Sequence, residues 1–99
     1  MPHPKNFSEV LVANSRWAAR VKHPPLPATA AAGLAVLTCM DSRIDPLGML
    51  GLEPGDAKIL RNAGGRVTQD VLRTTVLASY LLGVERLMIV QHTGCAMAQ

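Results

Sequence analysis

The sequence predicts an α/β fold: a parallel-sheet core of βαβ units preceded by an N-terminal helical arm. Three observations carry this expectation. Short apolar runs at Leu34 to Cys39, Ala57 to Arg61 and Arg86 to Gln91 alternate with loops and helical periodicity. Clusters such as Glu53-Pro54-Gly55-Asp56 have turn chemistry and separate the runs. Three prolines, Pro24, Pro25 and Pro27, cut the opening helical stretch off from everything that follows.

Taken in order, Asn6 or Ser8 can cap a helix reaching about Val21, with Phe7, Val10, Leu11, Trp17, Ala18 and Val21 near one stripe. The Pro-rich connector makes this either an arm lying across a neighbouring surface or a helix packed on its own sheet. We accordingly divide the chain into an arm and connector, 1–27, and an α/β domain, 28–99. The first strand closes at Cys39. Asp45-Pro46 then opens a short helical turn, with Asp45 as cap and Pro46 at the first helical position. After the second strand comes Asn62-Ala63-Gly64-Gly65. Thr68 caps a helix through Leu82 that stops at Gly83. Its apolar residues Val71, Leu72, Val76, Leu77, Ala78, Leu81 and Leu82 cover more than one stripe, so the helix is expected to be largely buried. The third strand delivers His92-Thr93-Gly94-Cys95.

With 99 residues the chain is one small domain, and help from a metal, a partner subunit or both is expected. A hydrophobic content of 48% with one Phe, one Trp and one Tyr describes an aliphatic core. Ten basic against seven acidic residues leave +3, partly through Arg16, Arg20, Lys22 and His23. No basic run is interleaved with aromatics, which argues against nucleic acid as a partner. No stretch approaches the roughly 20 apolar residues of a membrane span. No secretory signal is read in Met1-Pro2-His3-Pro4-Lys5. The expected compartment is reducing cytoplasm, where paired thiols near a histidine are more often metal ligands or redox groups than structural bridges.

In parallel sheets, ligands bind beyond the carboxyl ends of the strands. Cys39, the Asn62-to-Gly65 loop and His92 are therefore expected on one rim, and period-2 alternation would send Cys39, Asp41 and Arg43 out on one face. Two thiolates and an imidazole suit a catalytic zinc centre with an open fourth position; soft sulfur favours zinc over magnesium, calcium or manganese. The competing reading has ordinary buried cysteines and a satisfied histidine. Asp41 and Arg43, read alone, form a structural ion pair. Beside zinc, Asp41 either occupies the fourth position or turns to Arg43 and leaves it open. Ala63 and Gly64 could let a tiny substrate approach, a weak signal beside the ordinary reading of a turn. The arginine that a cysteine-phosphatase loop requires is replaced by Asp45, and no C-x-x-C, Walker or dinucleotide glycine motif is present.

Cys39-Met40-Asp41-Ser42-Arg43, Arg61-Asn62-Ala63-Gly64-Gly65 and His92-Thr93-Gly94-Cys95 together resemble the signature blocks of the β-class carbonic anhydrases. The resemblance implies Zn2+ held by Cys39, His92 and Cys95, with Asp41 and Arg43 as a dyad gating the fourth position. It implies reversible hydration of carbon dioxide to bicarbonate and a proton by zinc-bound hydroxide. It also implies a homodimer, or a multiple of dimers, in which the N-terminal helix reaches over the partner. Members of the family continue beyond the H-x-x-C block, so the chain is expected to lack the C-terminal part of the family domain. Two other readings stay open: hydrolysis of carbon disulfide or carbonyl sulfide, and an inactive or structural zinc-binding module of the same fold.

Overall fold

A computed structural model describes residues 6–22 and 25–98. His23 and Pro24, invoked above for the basic cluster and the helix stop, lie outside the described residues, as do 1–5 and Gln99. The first strand, β1 (Leu34–Cys39), pairs in parallel with β2 (Ala57–Asn62) on one side and β3 (Arg86–Val90) on the other, giving the order β2-β1-β3. All six β1 residues are buried, as expected of a central strand lacking polar alternation. Its one polar side chain, Thr38, is satisfied by donating its hydroxyl to the Val90 carbonyl at 3.1 Å. Relative to expectation, β2 runs one residue further and β3 stops one residue earlier.

The helix caps follow local chemistry. Asp45 caps α2 (Pro46–Leu50) by accepting from the Gly48 N–H, and Thr68 caps α3 (Gln69–Leu81) by accepting from the Val71 N–H at 3.3 Å. At the start of α1 (Ser8–Arg20) the expectation needs correction: Phe7 holds the cap position and has no capping side chain. Asn6 instead accepts the Ser8 N–H at 3.0 Å from one residue further out. No residue of α1 is buried.

The expected burial of α3 is also corrected. Only Val71 and Ala78 are buried, while Leu72, Val76, Leu77 and Leu81 are exposed. Three strands at about 4.8 Å spacing offer roughly one helix width of surface, so α3 covers the sheet with one line of residues. Ala78 joins Ala30, Ala35 and Val84 in the core, flanked by Leu60 and Leu82. Leu87, Met88 and Ile89 of β3 are exposed for a related reason: β3 is an edge strand, paired to β1 alone. No helix among the described residues is long and apolar enough to cross a membrane.

The chain leaves β1 to build β2 on one side and then crosses to build β3 on the other. The strand order therefore reverses beside β1, where open α/β sheets form their ligand crevice. The carboxyl ends of β1 and β3 bring Cys39 and the segment from Gln91 to Cys95 to that edge.

Candidate metal centre

Cys39 is the last residue of β1 and is only 4% exposed. The ligand atoms of Cys39, His92 and Cys95 all lie within 4.8 Å of one another. The two sulfurs are 3.9 Å apart and both thiols are free. A tetrahedral ion with metal–sulfur bonds of about 2.3 Å would hold its sulfurs about 3.8 Å apart, so the pair is already at ligand spacing.

The imidazole fits the same purpose. His92 Nδ1 lies 2.9 Å from the Thr93 carbonyl, which can only accept, so Nδ1 carries the proton. That leaves a lone pair on Nε2, which is buried and has no hydrogen-bond partner. An orphaned, buried nitrogen acceptor beside two sulfurs is a donor set that could hold a metal ion, and its chemistry fits zinc. A short 3-10 turn, Ala96–Ala98, follows Cys95, whose carbonyl accepts the Ala98 N–H at 3.1 Å.

Asp41 and Arg43 reach the centre differently from the expectation. The ladder ends at Cys39, and the chain turns, with the Ile44 N–H donating to the Asp41 carbonyl at 3.1 Å. The pleat therefore does not align the three side chains; the turn does, by folding Arg43 back on Asp41. The Arg43 amide and Nε donate to Asp41 Oδ1 at 2.8 and 2.9 Å, and Nη2 donates to Oδ2 at 2.6 Å. Nη2 also donates to the Gly94 carbonyl at 3.1 Å, tying the pair to the loop between His92 and Cys95. These side-chain and backbone hydrogen bonds from Arg43 hold the Asp41 carboxyl well below the usual carboxylate range. Asp41 Oδ2 stands 3.9 Å from His92 Nδ1, outside hydrogen-bond reach.

Burial pushes the Cys39 thiol up, but His92, the backbone amides of Asp41 and Gly64, and Cys95 outweigh it and bring the thiol down to about 7. The Gly64 N–H points at the sulfur from 3.4 Å. Of the two residues expected to line a substrate approach, Ala63 is exposed and Gly64 supports the Cys39 sulfur.

Sequence reasoning passed over three supports. Gln91 Nε2 donates to the Gly65 carbonyl at 2.8 Å, pinning the glycine loop to the end of β3. Asn62 clamps Arg66, accepting its N–H at 2.9 Å and donating to its carbonyl at 2.7 Å. Arg61 donates to the Cys39 and Asp41 carbonyls. The only signal for the last two was their place in the Arg61-to-Gly65 block.

The sequence model of a family described as carbonic anhydrase matches residues 34–99, from the first residue of β1 through the H-x-x-C segment. The chain belongs to the β-carbonic anhydrase family. It is 41% identical over 73 residues to β-carbonic anhydrase 1 of Mycobacterium tuberculosis, covering 74% of this chain and 45% of that protein. It is 47% identical over 64 residues to the carbon disulfide hydrolase of Acidianus sp., covering 65% of this chain and 31% of that one. The crystal structure of carbonic anhydrase from Streptococcus mutans superposes with a TM-score of 0.88 at 39% identity, over 96% of this chain and 57% of that one. The chain thus spans about half the length, or less, of these members of the family.

Proposed function

We propose that this chain catalyses the zinc-dependent, reversible hydration of carbon dioxide to bicarbonate and a proton. The observation that carries the reading is the convergence of Cys39 Sγ, Cys95 Sγ and the unpartnered His92 Nε2 at ligand spacing. These three would hold the ion. Bound zinc would supply a hydroxide nucleophile near neutral pH by lowering the pKa of its water to about 7.

The chain's own residues set the conditions for that chemistry. Arg43 occupies both oxygens of Asp41, which keeps the carboxylate charged and turned from the sulfurs. So placed, an Asp41 oxygen can accept a hydrogen bond from the nucleophile and orient its lone pair toward substrate. Arg43 in turn is anchored on the Gly94 carbonyl, so gate and ligand loop are braced together. The Gly64 N–H favours the thiolate form of Cys39, the form that ligates a metal.

Residues 28–99 form the zinc-binding domain in this reading, and 1–27 the arm and connector. The exposed Phe7 at the cap of α1, with Leu11 and Trp17 within the helix, suits a homodimer, or a multiple of dimers, in which the arm lies on the partner. Two free thiols at the centre suit the cytoplasm.

Zinc analysis together with stopped-flow hydration of carbon dioxide tests the proposal. One zinc per chain and turnover are expected for the wild type, with both lost in Cys39→Ala; a folded wild type that takes up no zinc contradicts it. A second reading, hydrolysis of carbon disulfide or carbonyl sulfide, is favoured by the 47% identity to a carbon disulfide hydrolase. Turnover of those substrates without carbon dioxide hydration would select it. Stoichiometric zinc with turnover of none of the three would leave a structural zinc module.

A further inference from the structure

Beyond Cys39 the β1 ladder has ended, yet the next residues carry the carboxylate on which the centre depends. Two atoms of one side chain hold that stretch to the neighbouring strand. Arg61 stands opposite Thr38 in the β1–β2 register. Its Nε donates to the Cys39 carbonyl at 3.0 Å and its Nη2 to the Asp41 carbonyl at 2.7 Å. The guanidinium therefore spans two peptide planes with Met40 between them. One peptide belongs to a candidate metal ligand, the other to the residue that faces either Arg43 or the ion.

The reach of the Asp41 carboxylate depends on the backbone torsions between those two carbonyls, and pinning both fixes them. Other contacts also act on the stretch, Met40 N–H to the Asn62 carbonyl, Ile44 N–H to the Asp41 carbonyl and the Asp41 amide toward the Cys39 sulfur, but none of them joins the Cys39 and Asp41 carbonyls to each other. Arginine suits the task because its planar fork offers donors in two fixed directions, whereas lysine offers a point donor on a flexible stem. Its bonds go to neutral carbonyls, so a surface ion pair does not explain it.

We propose that Arg61 is a positioning residue whose fork on the Cys39 and Asp41 carbonyls keeps the Asp41 carboxylate on Arg43 and off the metal. The proposal rests on the metal-centre reading given above, and the test separates the two.

The probe is cobalt(II), whose ligand-field bands move when a carboxylate replaces water. Arg61→Ala and Arg61→Lys are compared with the wild type at one pH near neutrality, each in the parent and in an Asp41→Ala background, with cobalt content measured alongside. The expected result is one cobalt per chain throughout and bands displaced from the wild type in both Arg61 variants. The displacement should vanish in the Asp41→Ala background, an outcome that a general loss of packing would not give. Bands that coincide with the wild type overturn the proposal, as does an equal displacement with and without Asp41. If Arg61→Ala does not fold, Arg61→Lys decides alone, since it keeps charge and stem and loses only the fork; wild-type bands for it overturn the proposal. A wild type that takes up no cobalt overturns the metal-centre reading and this proposal with it, whereas a loaded wild type whose bands ignore Arg61 overturns the proposal alone.

Discussion

At Cys39, burial raises the thiol's pKa while His92, two backbone amides and Cys95 lower it to about 7 from an ordinary value of 9.0. A group whose pKa is depressed by folding contributes stability that is fully present above its unfolded value and is lost as pH falls through the folded one. The metal-free protein is therefore expected to gain stability from Cys39 as pH rises from about 7 to about 9. Metal uptake by the folded protein should instead strengthen as pH rises to about 7 and gain little from Cys39 above it, because the ligand must be a thiolate. The ultraviolet thiolate absorbance of a Cys95→Ser variant, in which the serine hydroxyl replaces the smallest of the lowering contacts, checks this: a midpoint well below 9 is predicted, and a midpoint near 9 would contradict it. The candidate ligands were legible in the sequence because sulfur and imidazole at H-x-x-C spacing, with a further cysteine closing a strand, make up a metal-ligand inventory. Arg61 and Gln91 were not legible. A polar residue at a strand end reads as solvated, and their partners are main-chain carbonyls on other segments, which only the strand register brings within reach.

Among the elements, the loop after β2 is constrained by the backbone of the central strand. Gly65 has φ +59°, and a Cβ there would stand 2.9 Å from the Thr38 carbonyl carbon and 3.0 Å from the Cys39 nitrogen. Backbone strain and overpacking against the central strand should together cost roughly 2–5 kcal/mol in Gly65→Ala. Gly51 is the internal control: its φ is +69°, but nothing lies within 4 Å of the added carbon. Gly51→Ala should cost only about 1–2 kcal/mol, the strain alone. Denaturant unfolding of the two variants tests the contrast, and equal losses would show that close approach to β1 is unimportant. Gly65 sits in a turn that the sequence marked, yet the sequence could not say that it presses on a strand. Similarly, α2 and its Asp45 cap were plain from the Asp45-Pro46 pair. The burial of α3 was misread because periodicity reports how much apolar surface a helix has, not how much sheet lies beneath it.

For the whole molecule, the exposed apolar residues ask for a partner surface. Helix α1 buries none of its residues, and an isolated helix of 13 residues is marginal in water. Association through the arm predicts a sedimentation coefficient that rises with concentration and falls to the monomer value in a Leu11→Glu, Trp17→Glu double variant. A wild type that is monomeric at all concentrations would contradict the arm's proposed role. The parallel pairing was readable from alternating strands and helices, whereas the order that puts β1 in the centre depends on which side each crossover takes and was not. The central claim is that Cys39, His92 and Cys95 share one ion, and zinc-edge X-ray absorption of the zinc-loaded protein tests it most directly. The account predicts two sulfurs at about 2.3 Å and at least one nitrogen at about 2.0–2.1 Å. A spectrum with no sulfur in the first coordination shell would contradict it.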